Sequence, residues 1–224
     1  MDEIRIIEVK RSVFENNDRD ADRLRQELKE RGTFLLNLMS SPGSGKTTTL
    51  ERTIEALADE LRIAVMEADI DSDVDTRRVL AKGVRAIQLH TGGMCHLDAD
   101  MTRQGIRELG TQDVDLAFLE NVGNLVCPAE FDTGACANAM ILSVPEGDDK
   151  PLKYPLMFKV CDVVLVNKMD VAPYFDFDLQ KLRDNVALRN PKALVIPICA
   201  KTGEGMDAWY AWLRDQVASF NQPA

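Results

Sequence analysis

The segment Ser40 to Thr47, with the sequence SSPGSGKT, constrains the fold of this chain more than any other. The apolar run Thr33 to Met39 before it predicts a buried strand, and Thr48 to Leu61 after it predicts a helix. A glycine-rich turn between a strand and a helix directs backbone N–H groups at an anion, and the helix dipole adds to the attraction. The segment therefore predicts a phosphate-binding loop. Ser40 stands where the usual G-x-x-x-x-G-K-[ST] pattern has its first glycine, and serine is small enough to keep the turn.

The residues of this loop have separate expected roles. Lys46 is expected to reach the β and γ phosphates of a nucleotide, and the Thr47 hydroxyl is expected to ligate Mg²⁺. The remaining nucleotide-binding residues predicted here are Gly43, Ser44, Gly45 and Thr48.

A second segment, Asn167-Lys168-Met169-Asp170, predicts which base is bound. It follows the β-branched run Val163 to Val166, which predicts a parallel strand that ends at the ligand-binding edge of a sheet. There Asp170 can accept two hydrogen bonds from the guanine edge, while the Lys168 stem covers the base and Asn167 braces the loop. Adenine offers neither hydrogen bond, so the segment favours GTP. Cys199, Ala200 and Lys201, a variant of an S-A-K loop, complete the predicted base pocket.

Strands and helices alternate along the chain, which predicts an α/β fold: a doubly wound, mostly parallel sheet with helices on both faces. We expect residues 1–32 to form an N-terminal segment with one amphipathic helix, marked by Leu24 and Leu28, and residues 33–224 to form the nucleotide-binding domain. The further predicted strands are Arg62 to Ala68, Arg85 to His90, Leu116 to Asn121, Ala139 to Val144, Val163 to Asn167 and Leu194 to Pro197.

Composition limits the environment and the partners. The net charge is -10, from 27 basic and 37 acidic residues, which argues against nucleic acid and anionic membrane as partners. No apolar run approaches the roughly 20 residues of a membrane-spanning helix, and the chain opens on no signal peptide. The five cysteines form no disulfide framework. These features predict a cytoplasmic protein.

Cys95, His96 and Cys127 indicate a second candidate site. Cys95-His96 follows the turn-rich stretch Thr91 to Met94, and Cys127 is predicted to lie in a loop after a strand. Two thiolates and one imidazole suit nickel or zinc, and three protein ligands leave one position open. The alternative is that single cysteines pack as small apolar side chains. Cys136, Cys161 and Cys199 are predicted to pack in this way.

Acidic residues at strand ends complete the predicted catalytic region. Asp69 and Glu120 each end a predicted strand, so their carboxylates are expected near Mg²⁺ and the phosphates, unless they only cap the segments that follow. Asp75 either joins them or positions the attacking water. Gly123 would give its backbone N–H to the γ phosphate, and only a few residues separate it from Cys127. Nucleotide state is therefore expected to bias metal affinity.

These segments together resemble the hydrogenase nickel-incorporation GTPase family, HypB, of the SIMIBI class of P-loop GTPases. The resemblance extends from Thr33 to Leu213 and is most specific in Cys95-His96-Leu97-Asp98-Ala99 and in Glu120 to Pro128. It implies that Cys95, His96 and Cys127 bind nickel or zinc, that GTP promotes homodimerisation, and that a HypA-type zinc protein and the hydrogenase large subunit are partners. Some relatives carry cysteine- or histidine-rich N-terminal stretches. Met1 to Gly32 contains neither residue type, so nickel storage is not expected there.

Three other functions are alternatives to that of a HypB-type GTPase. A urease-type nickel accessory GTPase is expected to show a Cys-Pro-His arrangement, which this sequence lacks. A small-molecule kinase would share the P-loop but would not need the Asn-Lys-x-Asp segment. A regulatory GTPase without a metal role would keep the nucleotide residues and use the cysteines only for packing.

Overall fold

The fold is an eight-stranded parallel sheet in a computed structural model that describes residues 6–8, 17–69 and 74–222. The strand order is β1-β4-β3-β5-β2-β6-β7-β8, and every neighbouring pair is parallel. The strands are β1 (Ile6–Glu8), β2 (Phe34–Ser40), β3 (Ile63–Asp69), β4 (Arg85–His90), β5 (Leu116–Glu120), β6 (Ala137–Ser143), β7 (Val163–Asn167) and β8 (Leu194–Pro197).

Helices cover both faces of the sheet, as the alternating sequence pattern predicted. The helices are α1 (Asn17–Arg31), α2 (Lys46–Leu57), α3 (Val74–Leu80), α4 (Ala99–Leu109), α5 (Cys127–Glu130), α6 (Lys150–Lys153), α7 (Pro155–Val160), α8 (Leu179–Ala187) and α9 (Met206–Phe220). Two 3₁₀ helices span Val144–Glu146 and Met169–Tyr174.

The central strand β2 shows how the sequence fills both layers. All seven of its residues are buried, as expected for a parallel strand with helices on both faces. Leu36 and Leu38 pack in the layer with α2 and α9, while Leu35 packs with α1 and α4 on the opposite face. Met39 joins α7 and α8 further along that face. The alternation follows from the two-residue period of a strand.

The predicted N-terminal amphipathic helix is α1, and its Leu24 and Leu28 are fully buried. The predicted strands all occur, and no end is shifted by more than two residues. The strand β1 was not predicted and pairs with β4 at one edge. The domain boundary after residue 32 stays a prediction. Within the part of the chain that the structure describes, no helix has the length and apolarity that crossing a membrane requires.

Candidate functional site

The phosphate-binding loop lies between β2 and α2, at the carboxyl edge of the sheet. Gly43 and Gly45 have φ angles of 75° and 98°, a left-handed conformation that side chains with a Cβ rarely adopt. Ser40 is the last residue of β2 and keeps negative φ. The unusual serine is therefore tolerated because this position is still strand, and the glycine-dependent turn begins after it.

Asn167 joins the loop to the predicted base pocket. The residue is 3% exposed, its Nδ2 donates to the Ser44 carbonyl at 2.9 Å, and its Oδ1 accepts from the Ala200 N–H at 3.0 Å. Gly45 packs directly against this amide: a Cβ there would lie closer to Asn167 Nδ2 than van der Waals contact allows. The predicted bracing role of Asn167 is thus visible as two hydrogen bonds between separate loops.

Lys168 forms the next part of the pocket. It is the one non-glycine residue with positive φ among the described residues, at 63°. Its Nζ donates to the Gly43 carbonyl at 2.7 Å, so its aliphatic stem runs along the entrance between the phosphate loop and the base pocket. This placement fits the predicted role of covering one face of a base.

An open cleft of about 260 Å³ lies beside these residues. Asp170 is exposed, is the second residue of a 3₁₀ helix and lines the cleft. The opposite loop closes through a hydrogen bond from the Cys199 N–H to the Glu204 carbonyl at 2.8 Å. The cleft is lined by Gly45, Thr48, Asn167, Lys168, Asp170, Val171, Cys199, Ala200 and Lys201. A purine base with its edge toward Asp170 fits this chemistry.

Glu120 lies at the centre of the predicted magnesium and phosphate region. It is 2% exposed, and its Oε1 lies 3.3 Å from both Lys46 Nζ and Thr47 Oγ1. A buried carboxylate and a hydroxyl this close supply the hard oxygen ligands that Mg²⁺ prefers. The side chains of Asp69 and Asp75 lie outside the described residues, so their predicted roles stay predictions.

Gly123 lies against the phosphate-binding loop. A Cβ at Gly123 would lie 3.2 Å from Cγ of Pro42. Gly123 therefore approaches the loop closely, as its predicted contact with the γ phosphate requires. The segment then folds back on itself, because Asn124 Oδ1 accepts from the Val126 N–H at 2.8 Å.

The structure brings the thiols of Cys95 and Cys127 together. A hydrogen bond between these thiols, together with burial, raises the pKa of Cys95. Sγ of Cys95 lies 3.9 Å from Nδ1 of His96, whose ring stacks on Phe131 with centroids 3.6 Å apart. Among the described residues, no group of three or more His, Cys, Asp or Glu side chains is arranged to hold a metal ion. Cys95 and Cys127 thus lie close enough in one chain for their thiols to interact, and the three-ligand site stays a prediction.

One local prediction about this region is wrong. Cys127 does not lie in a loop but begins the one-turn helix α5. Pro128 explains the difference, because its fixed φ suits the first turn of a helix, where its missing N–H costs no hydrogen bond. The predicted irregular backbone around Cys95 and His96 is confirmed.

The other cysteines pack as expected. Cys161 is fully buried and its thiol donates to the Met157 carbonyl at 2.9 Å. Burial raises the pKa of the Cys136 thiol to about 11, and its Sγ accepts from the Leu35 N–H. Cys199 is also buried. Thiols that are buried and packed in this way are inert as metal ligands.

Sequence reasoning missed one support of the phosphate loop, Glu146. Its Oε2 accepts from the N–H and the hydroxyl of Ser143, both at 2.7 Å, and its Oε1 accepts from the Ser41 hydroxyl. Ser143 and Glu146 form a capping box at the start of a 3₁₀ helix. The S-x-x-E spacing after the apolar run of β6 was the available signal.

Comparisons with known proteins identify related sequences and structures. The family model "CobW/HypB/UreG, nucleotide-binding domain" matches residues 34–197. The hydrogenase maturation factor HypB of Rhizobium leguminosarum bv. viciae is 45% identical over 97% of this chain and 73% of its own length. The crystal structure of HypB from Archaeoglobus fulgidus has a TM-score of 0.84 at 40% identity, over 90% of this chain and 98% of that one. HypB from Helicobacter pylori, crystallised in complex with nickel, has a TM-score of 0.85 at 35% identity, over 93% and 98%.

Proposed function

The chain belongs to the HypB family, within the CobW/HypB/UreG nucleotide-binding domains, and from this premise we propose that it is a GTP-hydrolysing nickel metallochaperone. Its role would be to assist nickel insertion during hydrogenase maturation. The observation that best supports GTP binding is the buried Asn167 amide. Its hydrogen bonds connect the phosphate-binding loop to the cleft that Asp170 lines. Expected partners are a HypA-type zinc protein and the hydrogenase large subunit, and the expected location is the cytoplasm.

Selection of guanine rests on the Asp170 carboxylate. Its two oxygens can accept from the ring N–H and the exocyclic amine of guanine. A site built to hydrogen-bond its ligand can reject an analogue that lacks those groups by about 10⁴-fold, because its own polar groups would be left unpaired. ATP is therefore expected to bind far more weakly than GTP.

Hydrolysis would proceed by positioning and charge neutralisation. Lys46 and the backbone amides of the phosphate-binding loop would bind the β and γ phosphates, and the Gly123 N–H would donate a hydrogen bond to the γ phosphate. Thr47 and Glu120 would hold Mg²⁺, which neutralises phosphate charge when it is bound. Asp69 and Asp75 are candidates for binding this metal or orienting the attacking water. Water accepts the phosphoryl group, which separates this reaction from that of a small-molecule kinase.

Metal transport is supported by the thiol pair and by the relative crystallised with nickel. Cys95 and Cys127 would supply two sulfur ligands and His96 a nitrogen ligand, a set that accepts nickel or zinc. Since the described part of one chain supplies an incomplete cluster, a GTP-promoted homodimer would allow two copies to share the ion across a two-fold axis.

The base assignment is tested with substitutions of Asp170. Asp170→Ala should weaken binding of GDP by about 100-fold or more, because both acceptors for the guanine edge are lost. Asp170→Asn should shift preference from guanine toward xanthine nucleotides, whose exocyclic oxygen needs a donor. Titration with fluorescent GDP and XDP measures both effects. Unchanged GDP affinity in the alanine variant would refute the base pocket.

The metal assignment is tested by comparing two cysteines. Cys127→Ala should lower nickel stoichiometry and reduce the difference in nickel affinity between the GDP state and the state with a non-hydrolysable GTP analogue. Cys161→Ala, the matched control, removes a fully buried thiol and should cost only packing free energy, on the order of 1 kcal/mol. Equal nickel affinity in the two nucleotide states of the unmodified protein would contradict the coupling. Phosphate release without an added acceptor measures the hydrolase activity in the same samples.

A further inference from the structure

A buried asparagine far from the thiols in sequence bonds both segments that carry them. Asn17, the first residue of α1, is 7% exposed. Its Oδ1 accepts from the Ala99 N–H at 3.0 Å, and its Nδ2 donates to the Asp132 carbonyl at 3.0 Å. One side-chain amide thus links the start of α4 to the segment that follows α5.

The first of these bonds ends next to the Cys95-His96 segment. Ala99 begins α4, and Leu97 between it and His96 is fully buried. Asp98 caps the same helix by accepting from the Met101 N–H at 2.9 Å. Two hydrogen bonds therefore hold the backbone just after His96: the one from the Met101 N–H to Asp98 and the one from the Ala99 N–H to Asn17.

The second bond ends next to the Cys127 segment. Asp132 follows Phe131, the ring that stacks on His96, and lies just beyond α5, which Cys127 begins. The Asn17 bond to the Asp132 carbonyl therefore fixes the chain that places Phe131 beneath the imidazole. Both ends of the Asn17 amide act on residues that surround the thiol pair.

We propose that Asn17 is a positioning residue for metal binding, which sets the separation of the Cys95-His96 loop from the Cys127 helix. This inference rests on the proposed function and deepens it. Residues that orient metal ligands without touching the metal typically change metal affinity by about 10- to 100-fold when they are lost. An asparagine at a helix start ordinarily caps its own helix. Here both polar atoms of the amide bond other segments instead.

Other contacts hold α1 in place, so loss of Asn17 should not detach the helix. Arg25 binds both oxygens of the Asp132 carboxylate at 2.9 Å, and Arg103 Nη2 donates to the Asp20 carbonyl at 2.7 Å. Leu24 and Leu28 remain packed in the core. The effect of substituting Asn17 is therefore expected to be local.

Nickel titration of Asn17→Ala tests the proposal, with the thiolate-to-nickel charge-transfer absorption as a second readout. We expect nickel affinity to fall about tenfold or more, with an altered absorption spectrum and unchanged GDP affinity. Asn17→Asp keeps an acceptor for the Ala99 N–H but loses the donor to Asp132. It should therefore give an intermediate loss of affinity.

Asn185→Ala is the matched control. Asn185 is 8% exposed and its Nδ2 donates to the Asp148 carbonyl at 3.0 Å, so its substitution removes a similar buried bond between segments that carry neither thiol. This variant should retain parental nickel affinity and spectrum.

Two results would overturn the proposal. One is parental nickel affinity and spectrum in both Asn17 variants while Cys127→Ala loses nickel. The other is an equal loss of affinity in Asn185→Ala, which would show a general effect of stability. Failure of the proposed function looks different, because the unmodified protein and Cys127→Ala would then have the same nickel affinity.

Discussion

Replacing Gly45 by alanine should destabilise the protein by displacing the Asn167 amide, and a double-mutant cycle can isolate that effect. Two costs are expected at this position. A left-handed backbone with a Cβ costs about 1–2 kcal/mol. Displacement of Asn167 breaks its bonds to Ser44 and Ala200, and each buried group left without a partner costs about 1–3 kcal/mol. Taking the lower half of that range, Gly45→Ala should cost about 3–6 kcal/mol.

Both single variants lose the same two Asn167 hydrogen bonds, whereas the double variant can lose them only once. Asn167→Ala alone should cost about 2–4 kcal/mol, since the same two bonds are lost. In the double variant the Cβ introduced at position 45 meets no amide, so only the backbone cost is added. The double variant should therefore be more stable than the sum of the single changes predicts, by about 2–4 kcal/mol.

Gly43→Ala is the control for the cycle. Gly43 has a similar φ of 75°, but a Cβ there would meet no atom within 4 Å. Its substitution should cost only about 1–2 kcal/mol and should add to that of Asn167→Ala. Urea unfolding at constant m value gives each free energy of unfolding. Additivity of the Gly45 and Asn167 changes to within about 0.5 kcal/mol would refute the reasoning.

Two further predictions concern the phosphates and pH. Lys46→Ala should abolish GTP hydrolysis and Thr47→Ala should impair magnesium-dependent GTP binding; a parental rate of phosphate release in either variant, with Mg²⁺ present, would contradict the phosphate-loop assignment. Hydrogen bonds from Arg62 hold the pKa of Asp115 below its usual range, so this pair stabilises the fold above the unfolded-state pKa of about 4 and loses that effect as pH falls. Asp115→Asn should therefore lower the melting temperature at about pH 7 and lower it less at about pH 3. An equal decrease in melting temperature at both pH values would show that the Asp115 charge is not the cause.

The sequence predicted the sheet well because its strands are buried on both faces. Val163 to Asn167 was predicted and observed with the same ends, since a β-branched apolar run has few alternatives in an α/β chain. Short elements were not predictable in this way. The three residues of β1 depend on pairing with β4, far along the chain. Helix α2 ends at Leu57, earlier than predicted, because Ala58 to Glu60 form a turn.

In the candidate site, too, local motifs were predictable and contacts between distant residues were not. Motif spacing located the phosphate loop and the base segment because each is contiguous in sequence. Asn17 escaped detection because its partners, Ala99 and Asp132, lie 82 and 115 residues away. A single asparagine at a helix start resembles an ordinary cap until its tertiary partners are known.

Buried amides limit which part of the segment from Glu120 to Cys127 we expect to respond to nucleotide. Asn121 Nδ2 donates to Asn37 Oδ1 at 3.0 Å, and Asn37 Nδ2 donates to Asn138 Oδ1 at 2.9 Å, so the end of β5 is tied across β2 to β6. Asn121 Oδ1 also accepts from the Val122 N–H at 2.9 Å. We therefore expect movement caused by a γ phosphate at Gly123 to be transmitted away from the sheet, toward α5. Because Cys127 begins α5 while Cys95 belongs to a separate loop, we expect nucleotide state to act on the metal mainly through the Cys127 thiol.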